Sequence, residues 1–250
     1  MRSKMIYITA AVISAALIVI GVVLLFKDDV AEHIEREKIE SFTPQLSEIE
    51  IPDDTSELTE IPPKQKEMLS EQAVKLNQEF DNTTAWIYIP DSEINFPVMY
   101  SGDNEYYLHR SIDGGYLRAG SIFLDGRCDE RFRDDVNILY GHNMSDGSMF
   151  ADLLNYSDEE YFSGHKTAFL NTERGVYRID FFAVSEVEDN DTVYETKMPV
   201  KQWLEHLRSV SYIWHDSGHT EGDRYLSLST CTYHNGSSRT LVTGKMTAIR

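Results

Sequence analysis

Basic side chains are scarce in this chain. Its 23 Lys and Arg stand against 42 Asp and Glu, for a net charge of −19. Nucleic-acid binding needs a basic face to displace the counterions of phosphates, so that class of partner is excluded. Cysteine is scarcer still, with only Cys128 and Cys231 present. In an exported chain the two could form one disulfide, or they could be one working thiol and one incidental thiol. There is no metal-ligand motif, no carboxylate cluster of the kind calcium needs, no internal repeat and no low-complexity tract, so neither a metal nor an organic cofactor is expected. What is present suffices for a core. At 41% hydrophobic and 11% aromatic content, the 250 residues can build one good-sized domain with appendages.

Charge is wholly missing from residues 5–26, a run of Ile, Val, Leu and Ala. As a helix it rises roughly 33 Å, enough to cross the hydrocarbon core of a bilayer. Arg2 and Lys4 precede it, while Lys27-Asp28-Asp29 and an acidic stretch follow. The positive-inside bias then places residues 1–4 in the cytoplasm and everything after Phe26 outside the cell, on a single-pass plasma-membrane anchor. A cleaved signal peptide would have a shorter apolar core and small residues at its cleavage site, which Leu24-Leu25-Phe26-Lys27 does not offer. Residues 27–62 hold twelve acidic residues against three basic ones, together with Pro44, Pro52 and Pro62. They read as an extracellular spacer, although residues 32–40 could continue as helix. The domain proper is expected over 63–250. It opens with a helical pattern after Pro63, in which Met68, Leu69, Ala73, Leu76 and Phe80 recur at three- and four-residue steps.

From Thr84 the texture turns to short β-like runs separated by turn signals. They are expected at 85–89, 94–99, 121–124, 136–140, 167–171, 176–187, 224–230 and 240–249. Eight strands at irregular spacing predict a mainly β fold closed into a barrel, not a parallel sheet. Two helical patterns interrupt them. Residues 148–155 carry Met149, Phe150, Leu153 and Leu154 on one side. A longer helix opens at Pro199, with Val200, Trp203, Leu204, Leu207 and Val210 on one stripe.

The candidate chemistry lies near the C-terminus. In Leu226-Ser227-Leu228-Ser229-Thr230-Cys231, leucine and serine alternate with the period of a strand. Turn residues follow, and Arg239-Thr240-Leu241-Val242-Thr243 reads as a second strand. If the two pair antiparallel, Cys231 leaves the first where Arg239 enters the second, and a thiol and a guanidinium share one rim. That arrangement suits nucleophilic attack on a carbonyl and needs a base. Among the eight histidines, His142 directly follows the apolar strand 136–140 and Gly141, at a strand end where catalytic groups commonly sit. His234, three residues past Cys231 in an apparent turn, is its local competitor, and the residues alone leave both open.

Taken together, several motifs resemble a class B sortase, a cell-wall transpeptidase of Gram-positive bacteria. They are Ala85-Trp86-Ile87-Tyr88-Ile89-Pro90, Asp103-Asn104-Glu105-Tyr106-Tyr107-Leu108 and Gly120-Ser121-Ile122-Phe123-Leu124-Asp125. After these come Tyr140-Gly141-His142-Asn143-Met144, Asp146-Gly147-Ser148-Met149-Phe150, and Leu228-Ser229-Thr230-Cys231 with Arg239. The resemblance runs from about Trp86 to Met246. It implies an eight-stranded sortase barrel with N-terminal helices and one long helix before the cysteine strand. It makes Cys231 the nucleophile, His142 the general acid/base and Arg239 the donor to the substrate carbonyl or oxyanion. It suggests Asn104, Leu108 and Ser229 as groove residues, and residues 192–194 as a further substrate contact. The implied partners are surface proteins with a C-terminal sorting signal, cut at a threonyl bond, and an amine of peptidoglycan or of its lipid-linked precursor. Two other readings compete: a sortase that polymerises pilin subunits, and a tethered peptide-binding barrel without catalysis. Simultaneous presence of Cys231, His142 and Arg239 speaks against the last.

Overall fold

The β-like runs do form strands. The computed structural model describes residues 2–42, 71, 74–216, 218–232 and 236–249, with the backbone alone at 2–6 and 8–11. Nine strands occur among the described residues: β1 (Thr83–Tyr88), β2 (Asn95–Met99), β3 (Ile122–Leu124), β4 (Val136–Tyr140), β5 (Thr167–Thr172), β6 (Gly175–Glu188), β7 (Ser211–Trp214), β8 (Arg224–Cys231) and β9 (Ser238–Ala248). Their order is β5-β1-β2-β3-β4-β8-β9-β6-β7, and a further β5–β6 pairing closes the first eight into a barrel. Neighbours are antiparallel except β2–β3 and β4–β8, which are parallel. The eight expected strands are all present. The ninth, β7, pairs with the second half of β6 where β5 has left it. With four residues and only Ile213 buried, β7 has too little alternation to register as a sequence pattern.

Both faces of much of the barrel are covered. Ile87, Leu139, Leu226, Leu228 and Val242 fill the interior. On one outer face Ile138, Tyr225 and Leu241 pack under helix α3 (Val200–Val210) through Trp203 and Leu207. α3 is the helix expected after Pro199, which caps it. On another outer face Trp86, Met99, Phe123 and Phe169 meet Leu76, in a helical segment over 74–79, and Phe80 just after it; with residue 71 this segment is the described part of the helix expected after Pro63. The pattern at 148–155 resolves into a 3-10 helix, Ala151–Ser157, followed by a short helix α2 (Glu159–Gly164). Asp158 splits them, because its side chain accepts from the Glu160 and Tyr161 N–H groups and starts a new helix.

The N-terminal helix α1 runs from Arg2 to Phe42 without a break. The first 16 of the 36 residues of the expected spacer are therefore helix, docked on the barrel, while residues 43–62 lie outside the described residues. Its charges find partners there. Arg118 bonds Glu32 at 2.9 Å and Asp29 at 3.3 Å, Arg36 pairs with Asp146 at 3.0 Å, and Lys38 with Asp113 at 2.7 Å. Glu35, 8% exposed, accepts the Ile112 N–H at 2.9 Å, and burial raises its pKa. Phe42 meets the Phe80 ring edge-on at 5.0 Å. The expected membrane span is not carried by the described residues, among which no helix is long and apolar enough to cross a membrane. Of the 5–26 run, only Tyr7 and the 15 residues 12–26 have described side chains. Gly21 apart, those of 12–26 are exposed.

Both cysteines are free. Cys128 is 3% exposed, and burial, with the Asp125 charge next, pushes its thiol up to about 12. Its thiolate fraction at neutral pH is negligible, and so is its reactivity. Titration of the native protein with a disulfide reagent is therefore expected to find one reacting thiol per chain, with the second appearing only on unfolding. Two fast thiols would contradict the burial of Cys128, and none would indicate a bridge.

Candidate active site

Strand register assembles the site. β4 runs parallel to β8 with Tyr140 opposite Ser229, so two residues further along both chains His142 comes level with Cys231. On the other side of β8, Cys231 pairs directly with Arg239 of β9. A row of imidazole, thiol and guanidinium thus crosses three adjacent strand ends. The Gly141 N–H donates to the Ser229 carbonyl at 3.2 Å, the Thr230 hydroxyl to the Gly141 carbonyl at 2.8 Å, and the Asn143 amide to the Cys231 carbonyl at 3.0 Å. These bonds carry the β4–β8 ladder past its last formal pair. The row opens into one cleft, which Asn104, Leu108 and Ser229 also line. The competitor His234 lies outside the described residues.

Each member is held by a different device. His142 donates from Nε2 to the Leu108 carbonyl at 2.7 Å. A carbonyl can only accept, so that bond fixes the Nε2–H tautomer and leaves the lone pair on Nδ1. His109 lies parallel to the ring, with centroids 5.4 Å apart. Burial pushes the His142 pKa down; the Leu108 bond opposes this, and the charges of His109 and Arg239 add to the fall. Arg239 donates to the carbonyls of Gly236 and Ser238 and to the Asp189 carboxylate. Ser229, 1% exposed, shares a hydrogen bond with the Tyr194 hydroxyl at 3.0 Å. Residues Thr192–Tyr194 therefore form part of the support beneath the cleft. The serines of β8 are not a solvated face, because Ser227 likewise pairs with Thr243 at 2.8 Å. Asn104 spends its side-chain oxygen on the Gly126 N–H at 2.7 Å.

Below the cleft lies a buried charge. Asp125 is fully buried and receives two N–H groups of the Arg127 side chain, at 2.9 and 2.6 Å, and the Tyr140 hydroxyl at 2.8 Å. Burial pushes its carboxyl up, but these donors more than offset that, and its pKa falls below the usual range. Tyr140 is pushed up by burial and by that charge, so it stays a neutral donor. Sequence reading missed Asp189, His109, Asn143 and the Asp125–Arg127 pair. Asp189 sits in an acidic run, Glu186 to Asp191, where only the β6–β9 register singles it out.

A thiol flanked by a neutral imidazole and a fixed guanidinium, on adjacent strand ends of a closed barrel, is equipped for acyl transfer through sulfur. A family model described as Sortase domain matches residues 87–247. Sortase B of Listeria monocytogenes is 36% identical over 180 residues, which cover 69% of this chain and 71% of that protein. Sortase B of Staphylococcus aureus is 28% identical over 189 residues, covering 73% and 78%. A solved Staphylococcus aureus sortase B-substrate complex shares the fold with a TM-score of 0.73 at 24% identity, over 88% of this chain and 100% of that chain. The chain belongs to the sortase family and is a cysteine transpeptidase of the sortase B type.

Two outcomes follow from this geometry. A Cβ on Gly141 would lie 2.4 Å from Ile122 Cδ1 and 2.7 Å from the Phe150 ring. Close approach, and not a left-handed turn, explains this glycine. Gly141→Ala is expected to cost about 1–3 kcal/mol by overpacking, seen as a lower urea midpoint, and to slow turnover by displacing His142. For His142, the depressed pKa means that the folded state binds fewer protons than the unfolded chain once pH drops below about 6.5. This residue's contribution to stability therefore falls as pH drops from about 6.5 to its folded pKa, and the ring is neutral at pH 7. An NMR titration should place its midpoint below that of a model imidazole; a midpoint at or above it would contradict the burial argument.

Proposed function

We propose that this chain is a membrane-held, extracellular sortase. It cleaves surface proteins at a threonyl peptide bond of a C-terminal sorting signal and passes them to a cell-wall peptidoglycan amine. The observation that carries this reading is the row His142–Cys231–Arg239 on adjacent strand ends, opening into a single cleft. The Staphylococcus aureus relative of the same fold, described as a substrate complex, supports a peptide-binding role for the cleft. The charge-free run 5–26, with basic residues before it and acidic ones after, supports the anchor and its orientation.

In this mechanism the Cys231 sulfur attacks the threonyl carbonyl carbon, and the electron pair of the C=O bond moves to oxygen. Arg239, charged throughout, donates hydrogen bonds to that oxyanion, a contribution of about 3 kcal/mol in comparable sites. His142, carrying the thiol's proton, gives it to the departing amine as the C–N bond breaks and a thioester forms. The acceptor amine then attacks the thioester and yields its proton to His142, and the sulfur leaves as thiolate. Asn104, Leu108 and Ser229 border the path of the peptide. No metal or cofactor is required by these steps.

Cys231→Ala is expected to abolish both hydrolysis and transfer while the fold is kept, and full activity in that variant would remove the thiol from the mechanism. Arg239→Lys keeps the charge but loses the planar fork, so kcat/KM should fall about 100-fold or more. The deciding experiment is cleavage of a library of threonine-containing peptides by the 27–250 domain, with a diaminopimelate-type amine and a lysine-containing pilin-like peptide offered as acceptors. Transfer to the first supports wall anchoring; preference for the second would replace it by subunit polymerisation.

A further inference from the structure

Arg239 has five N–H groups, and three are engaged among the described residues. Nη1 donates to the Gly236 carbonyl at 2.9 Å and the Ser238 carbonyl at 3.0 Å. Nη2 donates to Asp189 Oδ2 at 3.3 Å. Nε–H and one Nη2 N–H remain. Both carbonyls grip the same nitrogen, so neither of them reaches the Nη2 corner of the guanidinium. Asp189 supplies the contact at that second corner. The backbone that carries this carboxylate is held in place. The Asp189 N–H donates to the Ser237 carbonyl at 2.8 Å, and β6 pairs Val187 with Arg239 and Glu188 with Ser238. Asp189 thus extends the β6–β9 ladder into the turn before β9, and it lines the cleft beside Arg239.

We propose that Asp189 is a positioning residue. It locks the Arg239 guanidinium so that the two unengaged N–H groups face the cleft where the tetrahedral oxygen forms. This rests on the transpeptidase reading, in which Arg239 serves that oxygen. Asp189 touches no reacting atom and acts through Arg239 alone. A neutral amide at this position keeps the shape but weakens the grip on Nη2, and the lost alignment appears in the chemical step more than in binding.

The test uses an internally quenched peptide bearing the best-cleaved threonine-containing sequence from the library above. Its rates are measured for wild type, Asp189→Asn, Asp189→Glu, Arg239→Lys and the Asp189→Asn/Arg239→Lys double variant. Asp189→Asn is expected to lower kcat about tenfold with KM changed less than about twofold. Asp189→Glu should recover most of that loss. Because Asp189 is half exposed, the melting temperature should move by no more than about 2 °C. The double variant should be no slower than Arg239→Lys alone, since one effect runs through the other. A kcat for Asp189→Asn at or above wild type overturns the proposal, as does full additivity in the double variant. The two failures are distinguishable. If the wild type shows no Cys231-dependent cleavage, the transpeptidase reading falls and this one with it. If cleavage depends on Cys231 but not on Asp189, only this proposal falls.

Discussion

The parallel ladder between β4 and β8 is the constraint on which the site depends. Antiparallel neighbours can be joined by a tight turn, but a parallel pair needs a long crossover, and here it includes β5, β6, α3 and β7. The histidine and the cysteine are 89 positions apart, yet the pairing of Tyr140 with Ser229 brings them level. A slip of one residue would turn every β8 side chain to the opposite face, sending Leu226 and Leu228 outward and Cys231 into the barrel. The apolar interior forbids that slip, so core burial fixes the register, and the register fixes the chemistry.

Covering both faces of the barrel has an electrostatic consequence. β8 is buried on its outer side as well, where Ser227 and Ser229 are satisfied by Thr243 and Tyr194 and not by water. The reactive row therefore emerges from a largely dehydrated wall. There a proton on His142 is disfavoured, Tyr140 keeps its proton against a buried carboxylate, and a guanidinium charge is felt at the neighbouring ring. Each polar group at the base of the cleft is bound to something that cannot follow the substrate. Leu108 contributes a backbone carbonyl to His142, Asp125 takes the Tyr140 hydroxyl, and Gly236 and Ser238 hold Arg239. Preorganisation of this kind lowers the reorganisation required when charge develops on a carbonyl oxygen.

Much of this was legible in the sequence wherever a period or a punctuating residue carried it. The eight barrel strands, α3 after Pro199 and the opposition of Cys231 to Arg239 all follow from alternation, an apolar stripe and a short turn. What stayed hidden depends on tertiary position. β7 has too few residues to show a period. Asp189 is one acid among several in its run, distinguished only by where β6 stops relative to β9. His109 and Leu108 matter because the loop after β2 folds over His142, which no local pattern encodes. The acidity of residues 28–40 points to a solvated spacer because composition carries no information about partners. Arg118, which lies on the barrel, turns that acidity into a docking surface.

That docking changes what the N-terminal segment does. α1 grips the loop carrying Ile112, Asp113 and Arg118, which leads back to Leu108 and His109, and it also grips Asp146 in the turn after His142. The two loops that flank the imidazole are thus braced by one helix. The brace begins at Asp29, three residues beyond the apolar run. In the membrane-held reading a coiled stalk would let the cleft wander over many ångströms, whereas a continuous helix docked at once on the barrel fixes its height close to the bilayer surface. A substrate still tethered by its own segment would then meet the thiol in a thin layer, where its effective concentration is set by geometry and not by diffusion from bulk.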